Sequence, residues 1–83
     1  MNKVLVKLYV PTIEAEYDVW LPLNKKIYKI IALLKKAVNE FSGGEYVPTT
    51  QPLLYDKQTA IEYDVNLILK DTNIRNGTEL ILI

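Results

Sequence analysis

The chain has 83 residues, 49% of them hydrophobic and 24% charged, a balance typical of one small folded domain over residues 1–83 rather than a disordered segment. Ten Lys and Arg side chains cancel ten Asp and Glu, so the net charge of +0 does not favour nucleic acid as a partner. The sequence contains no Cys and no His, which removes thiolate nucleophiles and the commonest general base and zinc ligand. We therefore expect no enzyme, no cofactor and no metal site.

The hydrophobic residues are spread along the chain and do not form a membrane-spanning run. No apolar stretch approaches the roughly 20 residues that a transmembrane helix needs, and Lys7 interrupts the apolar N-terminal segment. We expect a cytoplasmic protein without direct insertion into a membrane.

Two alternating stretches at the start of the chain predict a β-hairpin. Every second residue is apolar in residues 3–10, and residues 15–21 alternate again after the break at Pro11-Thr12. The face predicted to be buried carries Val4, Val6, Leu8, Val10, Tyr17, Val19 and Leu21.

Residues 25–41 predict one amphipathic helix. Asn24 is a residue type suited to the N-cap position, and Ser42-Gly43-Gly44 should end the helix, because glycine readily adopts the left-handed conformation there. Apolar residues at spacings of three and four form the predicted buried stripe, which is Ile27, Ile30, Ile31, Leu34, Ala37, Val38 and Phe41.

The last half of the chain predicts short strands joined by loops. In order we expect a loop at 43–52, a strand at 53–56, a short edge strand at 60–63, a segment at 67–69 that crosses the core near a 3-10 helix, a positive φ at Gly77 and a final strand at 78–83. This order predicts an α+β fold of the β-grasp type, in which one helix packs on one face of a mixed sheet of four to five strands. The predicted strand order is second, first, last, third.

Two stretches resemble known proteins. The residues from Leu53 to Gln58, together with the pattern from Leu69 to Leu82, resemble the last third of ubiquitin. The residues from Tyr17 to Leu23, running into Lys25-Lys26-Ile27, resemble the YukD/EsaB family of small ubiquitin-like proteins, encoded beside the WXG100 (type VII) secretion apparatus of Gram-positive bacteria. The resemblance implies a cytosolic adaptor or regulator that is not conjugated and whose protein partners include membrane-embedded secretion machinery. The loop at 42–52 is longer than is typical of that family.

Two other functions are kept as alternatives. A ubiquitin-like modifier or sulfur carrier needs a terminal Gly-Gly, whereas this sequence ends at Ile83 in an apolar run. An anion-binding or nucleic-acid-binding module would use the Lys-rich helix, and its contact residues would be Lys25, Lys26 and Lys29, because cations in a first turn oppose the helix dipole. A solvated polar face is the simpler interpretation of these lysines, and we expect no nucleic-acid binding.

Side-chain parity predicts a protein-binding surface on the face of the sheet opposite the helix. If Leu53 and Tyr55 point inward, the outward apolar residues form one band of Leu5, Trp20, Leu54, Ile81 and Ile83. The resemblance to ubiquitin implies that Leu54 is the centre of this surface. A homodimer through the same face, incidental exposure, and cover by the loop at 43–52 are alternatives. Glu14, Glu16 and Asp18 are interpreted as solubilising edge charges.

Overall fold

The computed structural model describes residues 2–83, which form a mixed sheet with a helix across one face. The strands and the helix are β1 (Lys3–Val10), β2 (Ala15–Pro22), α1 (Ile27–Phe41), β3 (Leu54–Asp56) and β4 (Glu79–Leu82), with 3-10 turns at Pro11–Ile13 and Leu69–Asp71. The strand order is β2-β1-β4-β3, with β1 and β4 parallel and the other pairs antiparallel. The predicted β-grasp and its strand order are confirmed. Within residues 2–83 the sheet has four strands, since Glu62 contributes an isolated bridge to Tyr55 and no fifth strand.

The core lies between α1 and the facing side chains of the sheet. Each buried aliphatic side chain contributes roughly 1.5–3 kcal/mol through removal of apolar surface from water. Two members of the predicted helix stripe are less buried than expected, because Ala37 is half-buried and Phe41 is exposed beside Tyr17, with their ring centres 5.3 Å apart. The buried apolar residues of the strands and the helix are Val4, Val6, Leu8, Val10, Val19, Leu21, Ile27, Ile30, Ile31, Leu34, Val38, Leu54, Leu80 and Leu82.

The helix begins two residues later than the sequence predicts. Its N-cap is Lys26, without a side-chain cap, so the prediction that Asn24 caps the helix is wrong. The N–H groups of Ile27 and Tyr28 donate instead to the carbonyl oxygens of Leu67 (2.9 Å) and Val65 (3.1 Å). A distant segment of the chain therefore satisfies donors that a local cap would otherwise satisfy.

The other end of α1 is closed as predicted, and it fixes the loop that follows. Gly44 has a φ of 88°, and its N–H donates to the carbonyl oxygen of Asn39 at 2.8 Å. In the loop, Tyr46 is buried in the core, its N–H donates to Ser42 Oγ (2.9 Å), and its carbonyl oxygen accepts from Asn39 Nδ2 (2.9 Å). These bonds hold the loop at 43–52 against the end of the helix.

Among residues 2–83, no helix combines the length and the apolar character that crossing a bilayer requires.

Candidate functional site: the open face of the sheet

The open face of the sheet is the face that α1 does not cover, and four of the five predicted binding residues lie on it. Leu5, Trp20, Ile81 and Ile83 each have the parity opposite to the buried residues of their strands or strand extensions. Trp20 is 51% exposed and Ile83 is 55% exposed, while Leu5 and Ile81 are half-buried. The predicted alternation of inward and outward side chains along β1, β2 and β4 is thus confirmed.

Leu54 is the exception, and its predicted outward orientation is wrong. It pairs with Leu82, and it is 1% exposed, so its side chain lies in the core below the sheet. Tyr55 pairs with Ile81 and takes the outward position that the sequence assigned to Leu54. The physical reason is the register of β3, which sets Leu54 opposite the buried Leu82. The same register turns the Asp56 carboxylate inward, against the usual rule that polar residues face outward.

Asp56 tolerates burial because a hydrogen-bond network surrounds its carboxylate. Its Oδ1 accepts from the N–H of Gln58 (3.0 Å), and its Oδ2 accepts from Asn73 Nδ2 (3.3 Å). Tyr63 extends the network, since its hydroxyl donates to Asn73 Oδ1 at 2.7 Å. Burial, together with the nearby Asp56 charge, raises the pKa of Tyr63 to about 12. The network links the end of β3 to Gln58, Tyr63 and Asn73.

A contiguous apolar cluster, which we call the β4 patch, consists of Tyr9, Leu53, Tyr55, Ile81 and Ile83. Ile81 lies between Tyr9 of β1 and Tyr55 of β3, each of them its direct cross-strand partner. Leu53 and Ile83 continue the pairing beyond the strand ends, exchanging N–H to carbonyl hydrogen bonds of 2.7 and 3.0 Å. The loop at 43–52 meets the patch at Ile83, where the two line a common cleft of about 290 Å³.

A row of charges divides the open face next to the β4 patch. Lys7 lies directly across from Asp18 on β2 and from Glu79 on β4 in the register of the sheet. The N–H of Lys57 donates to the carbonyl oxygen of Glu79 at 3.0 Å, which places Lys57 next in the row. The signs therefore alternate from β2 through β1 and β4 to Lys57, the residue that follows β3. The Lys57 ammonium lies 3.8 Å from Glu79 Oε2, 3.9 Å from Glu16 Oε2 and 5.3 Å from the centre of the Tyr9 ring.

The charged row corrects the predicted single band. Leu5 and Trp20 are direct cross-strand partners on the far side of the row, and we call this pair the Trp20 corner. Tyr9 shares the parity of Leu5 along β1 but is not among the predicted binding residues. Leu53 and Tyr55 are also absent from the prediction, because their orientation depends on the register of β3.

The predicted lysine contact lies elsewhere, at the start of α1 on the helix side of the sheet. Lys25 precedes the helix, Lys26 is its N-cap, and only Lys29 lies within the first turn. Because the Ile27 and Tyr28 N–H groups already donate to carbonyl oxygens, this helix end does not offer them to an anion. All three lysines are exposed, and no ion pair of theirs is found among residues 2–83.

Comparison with known proteins supports the fold through structure rather than sequence. No protein-family model and no curated protein matches the chain. A chain of the MycP5-free ESX-5 inner membrane complex is 18% identical with a TM-score of 0.82, and the match covers 100% of this chain but 21% of that one. The EccD5 ubiquitin-like domain from Mycobacterium xenopi is 19% identical with a TM-score of 0.80, covering 100% of this chain and 94% of that one.

A third similar structure is the ubiquitin-like domain of the Mycobacterium tuberculosis type VII secretion protein EccD1. It is 15% identical, its TM-score is 0.76, and the match covers 100% of this chain and 99% of that one. At such identities the likeness establishes a ubiquitin-like fold, and a fold of this kind hosts many functions.

Proposed function

We propose that this chain is a protein-binding ubiquitin-like module that acts as an adaptor or regulator of a type VII secretion system, in the manner of the YukD/EsaB family. The observation that carries the proposal is the β4 patch, a contiguous apolar surface on the face that α1 leaves open. The similar structures add support, because two of them are ubiquitin-like domains of EccD proteins and one of those is named as a type VII secretion protein. The proposed role is binding alone, on the cytoplasmic side, with no catalytic step and no cofactor.

The composition of the β4 patch suits a docking surface. Tyr9 and Tyr55 supply large side chains with few rotatable bonds, and tyrosine is enriched among the residues that dominate binding energy. The charged row beside the patch gives the polar rim that usually surrounds an apolar interface centre. Because the side chains stand on paired strands, we expect little ordering cost on binding.

A matched pair of isoleucine substitutions tests the location of the surface. The partner tested is an FtsK-type ATPase, which the resemblance to the YukD/EsaB family implies is encoded beside this chain. Affinity is measured by titration calorimetry. Ile83→Lys, in the β4 patch, should weaken binding by about tenfold or more. Ile61→Lys is the control, since Ile61 is 66% exposed and outside the patch, and its parity is opposite to that of Glu62, the cross-strand partner of Tyr55. We expect it to change affinity by less than about twofold.

A second pair of substitutions replaces a tyrosine by lysine, once inside the β4 patch and once outside it. Tyr55→Lys alters the patch, whereas Tyr28→Lys alters an exposed tyrosine on α1. Equal losses of affinity from both substitutions, or none from either, would contradict the proposed surface. Sedimentation of the wild type as a dimer that Ile83→Lys dissociates would show instead that the patch joins two copies of this chain.

A further inference from the structure

The backbone of β1 shows which groups of β2 are left without partners. The carbonyl oxygen of Leu5 accepts from the N–H of Gly77 (2.8 Å), and the N–H of Lys7 donates to the carbonyl oxygen of Thr78 (3.0 Å). Leu5 and Lys7 therefore direct their backbone groups toward the β4 side. In an antiparallel pair, residues directly opposite each other either both bond across the pair or both point away from it.

The cross-strand partners on β2 consequently point their backbone groups into solvent. Trp20 opposes Leu5, Asp18 opposes Lys7, and alternation adds Glu16. The N–H of Leu23 donates to the carbonyl oxygen of Asn2 at 2.8 Å, which confirms that odd-numbered residues of β2 make the bonds to β1. Since β2 is the first strand of the sheet, the edge carrying these three residues is unpaired among residues 2–83.

An apolar groove of about 470 Å³ runs along this edge between β2 and α1. Its helix wall contains Leu33, which is 49% exposed, and Phe41, which is 54% exposed, with Ala37 between them. Val19 lines the strand side, and the groove reaches Trp20. Neither Leu33 nor Phe41 belongs to the buried stripe of α1, so these side chains offer apolar area beyond what the core uses.

We propose that the β2 edge accepts an extended segment of another protein as an added strand. The three outward residues would supply the ladder hydrogen bonds, and alternate side chains of the segment would enter the groove. Pro22 lacks an N–H and would end the ladder at that side. The groove positions of the segment should therefore be apolar.

The open-face positions of the added segment should carry Lys or Arg. Glu16 and Asp18 lie on β2 with one parity, and Glu14 directly precedes the strand, so a strand added at this edge would have acidic neighbours. Glu16 has its nearest cation, Lys57 Nζ, at 3.9 Å, and no ion pair of Asp18 is found among residues 2–83. Basic side chains opposite Glu16 and Asp18 would add favourable cross-strand charge pairs on the side of β2 that faces away from β1.

The same charges argue against a second copy of the chain as the occupant. Symmetric antiparallel pairing of two β2 strands that uses all three outward residues places Asp18 directly opposite Asp18 of the second copy. Like charges in that position destabilise the pair. The geometry points to a different protein whose segment alternates basic and apolar residues.

Peptide titration into the ¹⁵N-labelled chain tests this inference without reference to the β4 patch. The probes are an octapeptide of alternating lysine and valine and its counterpart of alternating glutamate and valine. We expect the lysine peptide to bind at least about threefold more tightly, which is the effect of favourable against unfavourable cross-strand charge pairs. Fluorescence of Trp20, the single tryptophan, reports affinity. Amide exchange should slow at Asp18 and Trp20, whose N–H groups point outward, and change far less at Val19 and Leu21.

Three variants complete the test. Asp18→Lys should invert the preference between the two peptides. Asp18→Pro should abolish binding while keeping the β1–β2 ladder, because the N–H that it removes points into solvent. Ile83→Lys, in the β4 patch, should leave peptide binding unchanged. Equal affinity for both peptides, no inversion by Asp18→Lys, or shifts confined to the β4 patch would each overturn the inference. If Asp18→Pro fails to fold, the Asp18→Lys result decides.

Discussion

The two faces of the sheet use the same strands but are shaped by different requirements. On β4, Leu80 and Leu82 are fully buried beneath α1, whereas Ile81 between them and Ile83 beyond them face the open side. Volume and shape constrain the first pair, since cores are close-packed. The second pair contributes less to the core, so we expect its identity to matter more for binding than for stability. Neighbouring positions of one strand can thus be tested separately for the two roles.

The largest expected effect comes from Leu54 in β3 and its neighbour Leu53, which face opposite sides of the sheet. Leu54→Ala should lower the free energy of unfolding by about 2–5 kcal/mol, because it removes buried methyl groups and leaves a cavity. Leu53→Ala, at the partly exposed neighbour, should lower it by less than about 1 kcal/mol. Urea unfolding followed by circular dichroism measures both. Equal losses, or a larger loss for Leu53→Ala, would show that the assigned orientation of β3 is reversed.

The second test of the inner face removes the buried carboxylate of Asp56. Asp56→Ala should cost about 1–3 kcal/mol, since the Gln58 N–H and the Asn73 amide lose their acceptor in a partly buried site. Asp64→Ala is the matched control. The Asp64 carboxylate makes a similar local bond to the N–H of Asn66 (2.9 Å), but the residue is exposed. A control loss as large as that of Asp56→Ala would mean that burial of Asp56 has no special importance.

Tyr63 makes the stability of this network depend on pH. Its folded-state pKa of about 12 lies above the ordinary value of 10.0, so the folded state favours the neutral phenol. The resulting stabilisation is fully present below pH 10 and is lost as the pH rises through 12. Urea unfolding across this range should show a steeper loss for the wild type than for Tyr63→Phe, which has no phenol to ionise. Parallel losses in the two proteins would exclude Tyr63 as the cause.

The smallest effect is expected on the open face. Lys57→Met removes ion pairs of 3.8 and 3.9 Å between exposed side chains, and the free energy of unfolding should change by less than about 1 kcal/mol. The same urea experiment measures it, with added salt as a second variable. A loss comparable to that of Leu54→Ala would mean that the charged row stabilises the fold and that the two faces do not differ as described.

Much of the fold follows from local periodicity, and the errors fall where long-range contacts decide. The hairpin and the helix stripe are long enough for their patterns to be unambiguous. The helix start depends on the carbonyl oxygens of Leu67 and Val65, which are far away in the sequence. The orientation of Leu54 depends on its pairing with Leu82 in a three-residue strand that contains an inward-facing Asp56. Such a strand is too short to show its own alternation.

The open face could be predicted in composition but not in arrangement. Parity identifies Trp20 and Ile81 as outward residues, because β2 and β4 alternate clearly. Their separation into two clusters depends on the register that places Lys7 beside Glu79, and that register is fixed only by the assembled sheet.

Isoleucine-methyl NMR can show directly whether the open face is where this chain meets its partner. The labelled chain is titrated with the unlabelled FtsK-type ATPase of the type VII system. Binding through the β4 patch predicts that the methyl signals of Ile81 and Ile83 shift or broaden, while those of exposed Ile61 and buried Ile27 stay unchanged. Unperturbed Ile81 and Ile83 signals would contradict docking through the β4 patch, whether the ATPase binds elsewhere on the chain or does not bind.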